Sequence, residues 1–216
     1  MSGSPAPRYA DSGLFIALEG GEGSGKSTQS ALLGHWLGGL GHRVLLTREP
    51  GGTAVGSALR SIVLDPATGA LSPRTEALIY VADKAEHVDA VLWPALSAGE
   101  VVITDRYVDS TLAYQGAGRD LSVAEFEPIA RWATRDLRPH LTIVLDIDPE
   151  VGLARAGAPD RIEAEPLSFH ARVRHGFLDL AAADPAHYVV VAADQDPQMV
   201  HQQLRAAVTP WLGSLT

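Results

Sequence analysis

The chain has 216 residues, enough for one domain with its own hydrophobic core, and its 46% apolar and 20% charged residues are those of an ordinary globular protein rather than a disordered or membrane one. Its formal charge of −9, from 17 Lys+Arg against 26 Asp+Glu, repels nucleic acid polymers and anionic membranes, so any phosphate site has to be a local cluster of donors. The absence of cysteine excludes disulfides, thiolate catalysis and Cys-type metal sites, and fits a cytoplasmic home.

In chain order, residues 1–13 are small and polar with no apolar centre, which reads as a disordered N-terminal tail rather than a signal peptide, and residues 14–216 as a single domain. No apolar run reaches 18 residues, so no membrane partner is expected. Short apolar runs at Leu14–Leu18, Val44–Thr47, Val101–Thr104, Leu141–Asp146 and Tyr188–Ala192 predict five strands. Helical patterns fill the intervals, including Lys26–Leu40 and Thr75–Leu96. Such alternation predicts an α/β fold in three layers, a five-stranded parallel sheet with helices on both faces. Ser72-Pro73, Asp148-Pro149 and Asp196-Pro197 each set a capping side chain before a proline at the first helical position, and Ser122 with Glu125 reads as a capping box. Two stretches are left over. Arg48-Glu49-Pro50-Gly51-Gly52-Thr53 lies past a strand, where ligands gather in a parallel sheet, and the turn-rich segment at about 155–165 reads as a short lid.

The strongest motif is Gly20-Gly21-Glu22-Gly23-Ser24-Gly25-Lys26-Ser27, a G-x-x-x-x-G-K-[ST] loop directly after an apolar run. Its fixed positions would match by chance in roughly one chain in a hundred of this length. Strand before and helix after are the context that such a phosphate-binding P-loop needs. The glycines let the backbone wrap phosphates with its N–H groups inward, Lys26 neutralises β/γ charge, and Ser27 offers a hydroxyl to Mg²⁺. Gly20, Glu22, Gly23, Ser24, Gly25, Lys26, Ser27 and Thr28 are therefore the expected ATP contacts. No Asn-Lys-x-Asp segment marks a GTPase. Asp105-Arg106 ends another apolar run at the same end of the sheet; Asp105 there reads as the carboxylate orienting the Mg²⁺ shell and Arg106 as a fork for a phosphate. The eight histidines form no H-x-x-x-H pair with a nearby Glu and read as surface or core residues.

Four segments in this order and spacing resemble the bacterial thymidylate kinases, of the nucleoside monophosphate kinase group. They are the P-loop with Glu22, Thr47-Arg48-Glu49-Pro50-Gly51-Gly52-Thr53, Asp105-Arg106-Tyr107 followed by Ser110-Thr111-Leu112-Ala113-Tyr114-Gln115-Gly116, and Asp160-Arg161-Ile162-Glu163. The resemblance runs from Phe15 nearly to the end and implies a P-loop kinase fold, ATP with Mg²⁺ as donor, thymidine monophosphate (dTMP) as acceptor, and a homodimer. It implies that Arg48 and Arg106 contact the acceptor phosphate, that Tyr80 stacks on thymine, and that Thr111 bonds the base edge. It implies further that Tyr114 packs on the sugar against a 2′-hydroxyl, with Ser110 and Gln115 in the same acceptor segment and Glu163 beside the metal. On a helix, Tyr80 and Lys84 lie roughly 70–130° from the centre of the stripe Leu78, Val81, Ala85, Val88 and Leu92, beside the core and not in it. Lys84 stands where the family pattern has arginine, an ammonium in place of a fork. Glu22 adds negative charge beside phosphates, which makes sense if it accepts the acceptor's 3′-hydroxyl or acts through Mg²⁺. The catalytic set is then Lys26, Arg106, Asp105 and a lid arginine: Arg161, which matches Asp-Arg-Ile-Glu, ahead of Arg155, which ends a helix. The other readings are a related kinase for another deoxynucleotide or a nucleoside, and a non-catalytic ATP-binding switch.

Overall fold

The computed structural model describes residues 8–119, 121–155 and 159–213. Five parallel strands form one sheet in the order β2-β3-β1-β4-β5: β1 Leu14–Glu19, β2 Val44–Arg48, β3 Val101–Asp105, β4 Leu141–Asp146 and β5 Tyr188–Ala192. β4 and β5 have the predicted bounds, and the other three run one residue further, into Glu19, Arg48 and Asp105. All three extra residues lie at the carboxyl end of the sheet. That is the end where a parallel sheet builds its ligand site.

Alternation along β1 divides the core. Leu14, Ile16 and Leu18 pack with Leu33 and Leu37 of helix α1 (Lys26–Gly39) and with Val200, Leu204 and Val208 of helix α9 (Pro197–Leu212). Phe15 and Ala17 point to the opposite face, with Val102, Tyr107, Leu92 and Leu96. Both faces are covered, which is why the strands read as continuous apolar runs.

The other helices are α2 (Ala54–Leu64), α3 (Pro73–His87), α4 (Trp93–Ser97), α5 (Val108–Thr111), α6 (Val123–Ala133), α7 (Pro149–Arg155) and α8 (Leu167–Ala183). Ser72, Ser122, Asp148 and Asp196 cap as expected, accepting the backbone N–H of Thr75, Glu125, Glu150 and Gln198, while of the expected capping box only the Ser122 half forms among the described residues. The expected helix Thr75–Leu96 is interrupted by a π turn over Val88–Leu92. Pro94 has no N–H to give Ala90, and the turn before it widens so that Trp93 N–H reaches Val88 O. Leu78, placed in the apolar stripe, is instead 54% exposed.

Residues 8–13, expected in the disordered tail, are tied down. Arg8 exchanges backbone hydrogen bonds with Asp136 and Arg138, at 3.1 and 2.8 Å, and the Tyr9 ring stacks on His187. The rest of that expected tail, residues 1–7, lies outside the described residues, as do lid residues 156–158.

Candidate active site

The Gly20–Ser27 loop joins β1 to α1 with Gly20, Gly23 and Gly25 at positive φ. Lys26 Nζ turns back into it, donating to Gly20 O at 3.0 Å, Gly21 O at 2.8 Å and Ser24 Oγ at 3.2 Å. Burial and then the nearby Arg106 guanidinium lower the Lys26 ammonium to about 8. This is a charge held in wait for phosphates. Beyond the loop, Ser27 Oγ donates to Asp105 Oδ2 at 2.7 Å. A hydroxyl and a carboxylate side by side are hard oxygen donors of the kind Mg²⁺ takes when phosphates and water complete its shell, so these residues fit that ion. Glu163 does not join them. It is absent from the lining of the trough described below, and its carboxylate accepts the Asp160 amide at 3.1 Å, closing the turn that begins with Asp160. Of the expected metal set, Ser27 and Asp105 stand together and Glu163 stands apart from them.

Around the loop lies a trough of about 610 Å³, lined by Glu22–Gln29 and by Arg48, Arg60, Asp105, Arg106 and Arg155. Beside it is a narrower pocket of about 80 Å³ that holds Tyr80, Lys84, Ser110, Thr111, Tyr114 and Gln115. Glu22, Glu49, Arg60 and Arg106 line both. All the residues expected to contact the acceptor therefore gather on these two adjoining cavities.

Arg106 occupies the junction. Its φ of 72° is a left-handed conformation that costs a non-glycine residue about 1–3 kcal/mol and marks sites where the surroundings over-determine the backbone. Its guanidinium donates to Gly20 O at 3.1 Å, Ser110 Oγ at 3.2 Å and Glu22 Oε1 at 2.7 Å. Glu22 Oε1 also accepts the Tyr114 hydroxyl at 2.7 Å. Burial alone would raise the Glu22 carboxyl, but Arg106, Lys26 and that hydroxyl hold it down to about 2, so Glu22 is an anion at any working pH.

Several expected contacts are already engaged within the protein. Lys84, 1% exposed, donates to Glu49 Oε2 at 2.7 Å, and Glu49 Oε1 takes His87 Nδ1 at 2.7 Å. Gln115 Nε2 donates to Glu76 Oε1 at 2.9 Å. Arg48 stands exposed on the trough, without a hydrogen bond or ion pair among the described residues. Thr111 is the reverse case: it is 1% exposed, and its hydroxyl is buried on the narrow pocket without a partner among the described residues. An orphan of that kind costs about 1–3 kcal/mol unless something else bonds it.

The lid arginines separate. Gly23 and Gly152 meet backbone to backbone, and a Cβ on either would strike a carbonyl oxygen of the P-loop or of α7. That close approach brings the end of α7 to the loop, where Arg155 Nη1 lies 3.4 Å from Gly23 O and 3.2 Å from Ala193 O. Arg161 is elsewhere. It donates to Val63 O at 2.7 Å and to Glu76 Oε2 at 2.5 Å, and does not line the trough. Of the two, Arg155 lies on the trough, whereas Arg161, the one preferred from the sequence, lies at Val63 and Glu76.

Three participants escaped the sequence reading. Glu76 gathers Gln115, Arg119 and Arg161 on one carboxylate. It sits in the first turn of α3, where an acidic residue passes for a helix-dipole partner. Arg60 of α2 lines both cavities, and its Nη1 donates to Pro50 O at 3.0 Å. Glu19 is the third, and its contacts lie behind Arg106.

A glycine-rich loop with an inward lysine, a hydroxyl–carboxylate pair beside it and a second pocket across an arginine define a P-loop nucleotide phosphotransferase. Residues 18–204 match the family model described as "Thymidylate kinase". The chain is 53% identical over 201 residues to the thymidylate kinase of Synechococcus sp. (strain JA-2-3B'a(2-13)), covering 92% of this chain and 96% of the relative. It is 50% identical over 197 residues to that of Cutibacterium acnes, covering 91% and 97%. The crystal structure of thymidylate kinase from Ehrlichia chaffeensis superposes with a TM-score of 0.77 at 31% identity, over 92% of this chain and 99% of that one. The chain belongs to the thymidylate kinase family.

Proposed function

We infer that the trough and the pocket are the donor and acceptor sites of the family reaction: the chain phosphorylates dTMP to thymidine diphosphate, with ATP and Mg²⁺. The observation that carries the division of roles is the shared wall. Arg106 and Glu22 face a phosphate-binding trough on one side and a pocket with Tyr80, Thr111 and Tyr114 on the other.

The reaction asks for alignment and charge cancellation more than for covalent chemistry. With a second pKa near 6, the acceptor phosphate is already mostly dianionic near neutrality and needs no general base. Lys26 and the loop N–H groups hold the ATP phosphates; Arg106 and Arg48 hold the acceptor phosphate; Arg155 reaches the transferring group from the lid side. Ser27 and Asp105 would hold Mg²⁺, which would supply further cancellation of phosphate charge. Tyr80 and Thr111 take the base, and Tyr114, fixed by its bond to Glu22, forms the wall against a 2′-hydroxyl. Glu22 orients Arg106 and Tyr114 and has lone pairs left for the 3′-hydroxyl. Lys84 lines the base side with its ammonium shared with Glu49. Ser110 and Gln115 line the pocket as well, and each also holds another side chain, Ser110 bonding Arg106 and Gln115 bonding Glu76.

A coupled assay with ATP and a panel of monophosphates and nucleosides tests the reading: dTMP is the expected preferred acceptor, and a preferred nucleoside or ATP binding without transfer would overturn it. Thr111→Val offers a finer test. Losing an unpartnered buried hydroxyl leaves the melting temperature equal or higher, whereas KM for dTMP rises roughly 5- to 10-fold as its partner on the base loses a bond. A fall in stability with unchanged KM would make Thr111 a packing residue.

No helix among the described residues is long and apolar enough to cross a membrane. The proposed compartment is the cytoplasm, and the proposed assembly a homodimer. The dimer reading is supported by an apolar groove between α3 and α6 lined by Ala77, Leu78, Phe126 and Ile129, with Trp132 79% exposed on α6.

A further inference from the structure

We propose that Glu19 is a positioning residue for the acceptor phosphate, holding Arg106 in place through Ser110 and through the turn that carries the arginine. The inference rests on the reading that Arg106 binds that phosphate.

Glu19 ends β1, one residue before the P-loop, and is completely buried. Its carboxylate reaches the turn after β3. Oε1 accepts the backbone N–H of Tyr107 at 2.8 Å and of Ser110 at 3.2 Å, and Oε2 accepts the Ser110 hydroxyl at 2.5 Å. Ser110 Oγ in turn accepts Arg106 Nη1 at 3.2 Å. The run Arg106 N–H to Ser110 O–H to Glu19 carboxylate is therefore unbroken, with every donor matched to an acceptor. The backbone is held alongside it: Arg106 N–H donates to Leu18 O at 2.9 Å, and Thr104 Oγ1 donates to Arg106 O at 2.8 Å. Together these bonds explain how Arg106 stays in a left-handed conformation that it would not choose alone.

The other side-chain contacts on Arg106, the Glu22 carboxylate and the face of the Tyr114 ring, lie on the cavities themselves. Substrate can rearrange Glu22, but Glu19 stays behind the site. The charged and titratable groups around Glu19 include Asp109 of α5, Arg106, Lys26 and Tyr188 of β5. Asp109 is itself tied to the Tyr188 hydroxyl of β5 at 2.6 Å. An apolar residue at the end of β1 would suit the core pattern equally well, yet it would leave two buried N–H groups and a hydroxyl without an acceptor. A carboxylate satisfies all three.

The experiment compares kcat, KM for dTMP and KM for ATP in Arg106→Ala, Ser110→Ala, the double variant, Glu19→Ala and Glu19→Gln. Ser110→Ala is expected to raise KM for dTMP roughly 5- to 10-fold and to leave KM for ATP within about twofold, as befits one lost hydrogen bond acting on one substrate. In the Arg106→Ala background the same change should add less than about twofold, because residues acting through one another are not additive. Glu19→Ala should raise KM for dTMP at least about tenfold, and Glu19→Gln should bring it back to within about threefold. The amide can accept both N–H groups through its oxygen and donate to Ser110 Oγ. Should Glu19→Ala fail to fold, the Ser110–Arg106 cycle and Glu19→Gln still decide. If Arg106→Ala leaves KM for dTMP unchanged, the acceptor-phosphate reading fails. If it raises KM but the Ser110 effect persists undiminished beside it, the relay fails while that reading survives. Equal rises in both KM values for Ser110→Ala and Glu19→Gln would likewise reduce Glu19 to a structural role.

Discussion

Replacing Lys26 by alanine is expected to lower turnover by about 10³-fold, the scale of losing one preorganised charge at a transferring phosphoryl group. The fold should survive, since among the described residues Lys26 hydrogen-bonds only Gly20 O, Gly21 O and Ser24 Oγ, all within its own loop, and the apolar face of α1 is untouched. Far-ultraviolet circular dichroism and the melting temperature check the second statement, and steady-state kinetics the first. A pH signature accompanies it. The ammonium is lowered to about 8, so the free enzyme carries this charge below that pH and loses it above. ATP phosphates favour the charged form, so wild-type ATP affinity falls as pH rises through about 8, and Lys26→Ala should lack that limb. A variant that keeps near-wild-type turnover would mean that the loop is not the donor site.

The sheet was readable because a parallel sheet covered on both faces makes its strands apolar runs, and here each run is bounded by turns and well-capped helices. The P-loop and the Asp105-Arg106 pair were readable for a related reason, since both sit directly past a strand end. What escaped depends on three-dimensional neighbours that sequence spacing does not encode. Glu19 looks like the polar end of a strand until Tyr107 and Ser110 come round to it. Glu76 looks like a first-turn acidic residue until Arg119 and Arg161 arrive from more than 40 residues away. Lys84 was expected to turn toward a base, yet Glu49, buried beyond a strand end, needs a cation more, and desolvation of two charges makes their pairing decisive. The π turn at Val88–Leu92 had a visible cause in Pro94, but not a visible consequence.

The two lid arginines differ in geometry enough to give opposite outcomes. Arg155 is exposed on the trough and, among the described residues, is bonded only to carbonyl oxygens of Gly23 and Ala193. Carbonyls are weak partners for a guanidinium compared with a phosphoryl group acquiring charge, so transfer of Arg155 from one to the other costs little in the ground state and strengthens as the transition state forms. Arg155→Ala is therefore expected to lower kcat by roughly 10³-fold with ATP affinity within a fewfold of wild type. Arg161 is bonded to a buried carboxylate that also takes Gln115 and Arg119. Its removal leaves Glu76 short of a donor, at a cost of about 1–3 kcal/mol in stability, and loosens the wall made by Leu64, Tyr80 and Ile162 around the acceptor pocket. Arg161→Ala should thus show a lower melting temperature and a higher KM for dTMP, with kcat reduced by less than about tenfold. Measuring kcat, both KM values and thermal unfolding on the two single variants and the double variant separates the roles. A large kcat loss in Arg161→Ala with Arg155→Ala unaffected would reverse the assignment. If even the double variant stays within about tenfold in kcat, neither arginine serves the transferring group, and Lys26, Arg48 and Arg106 carry that charge alone.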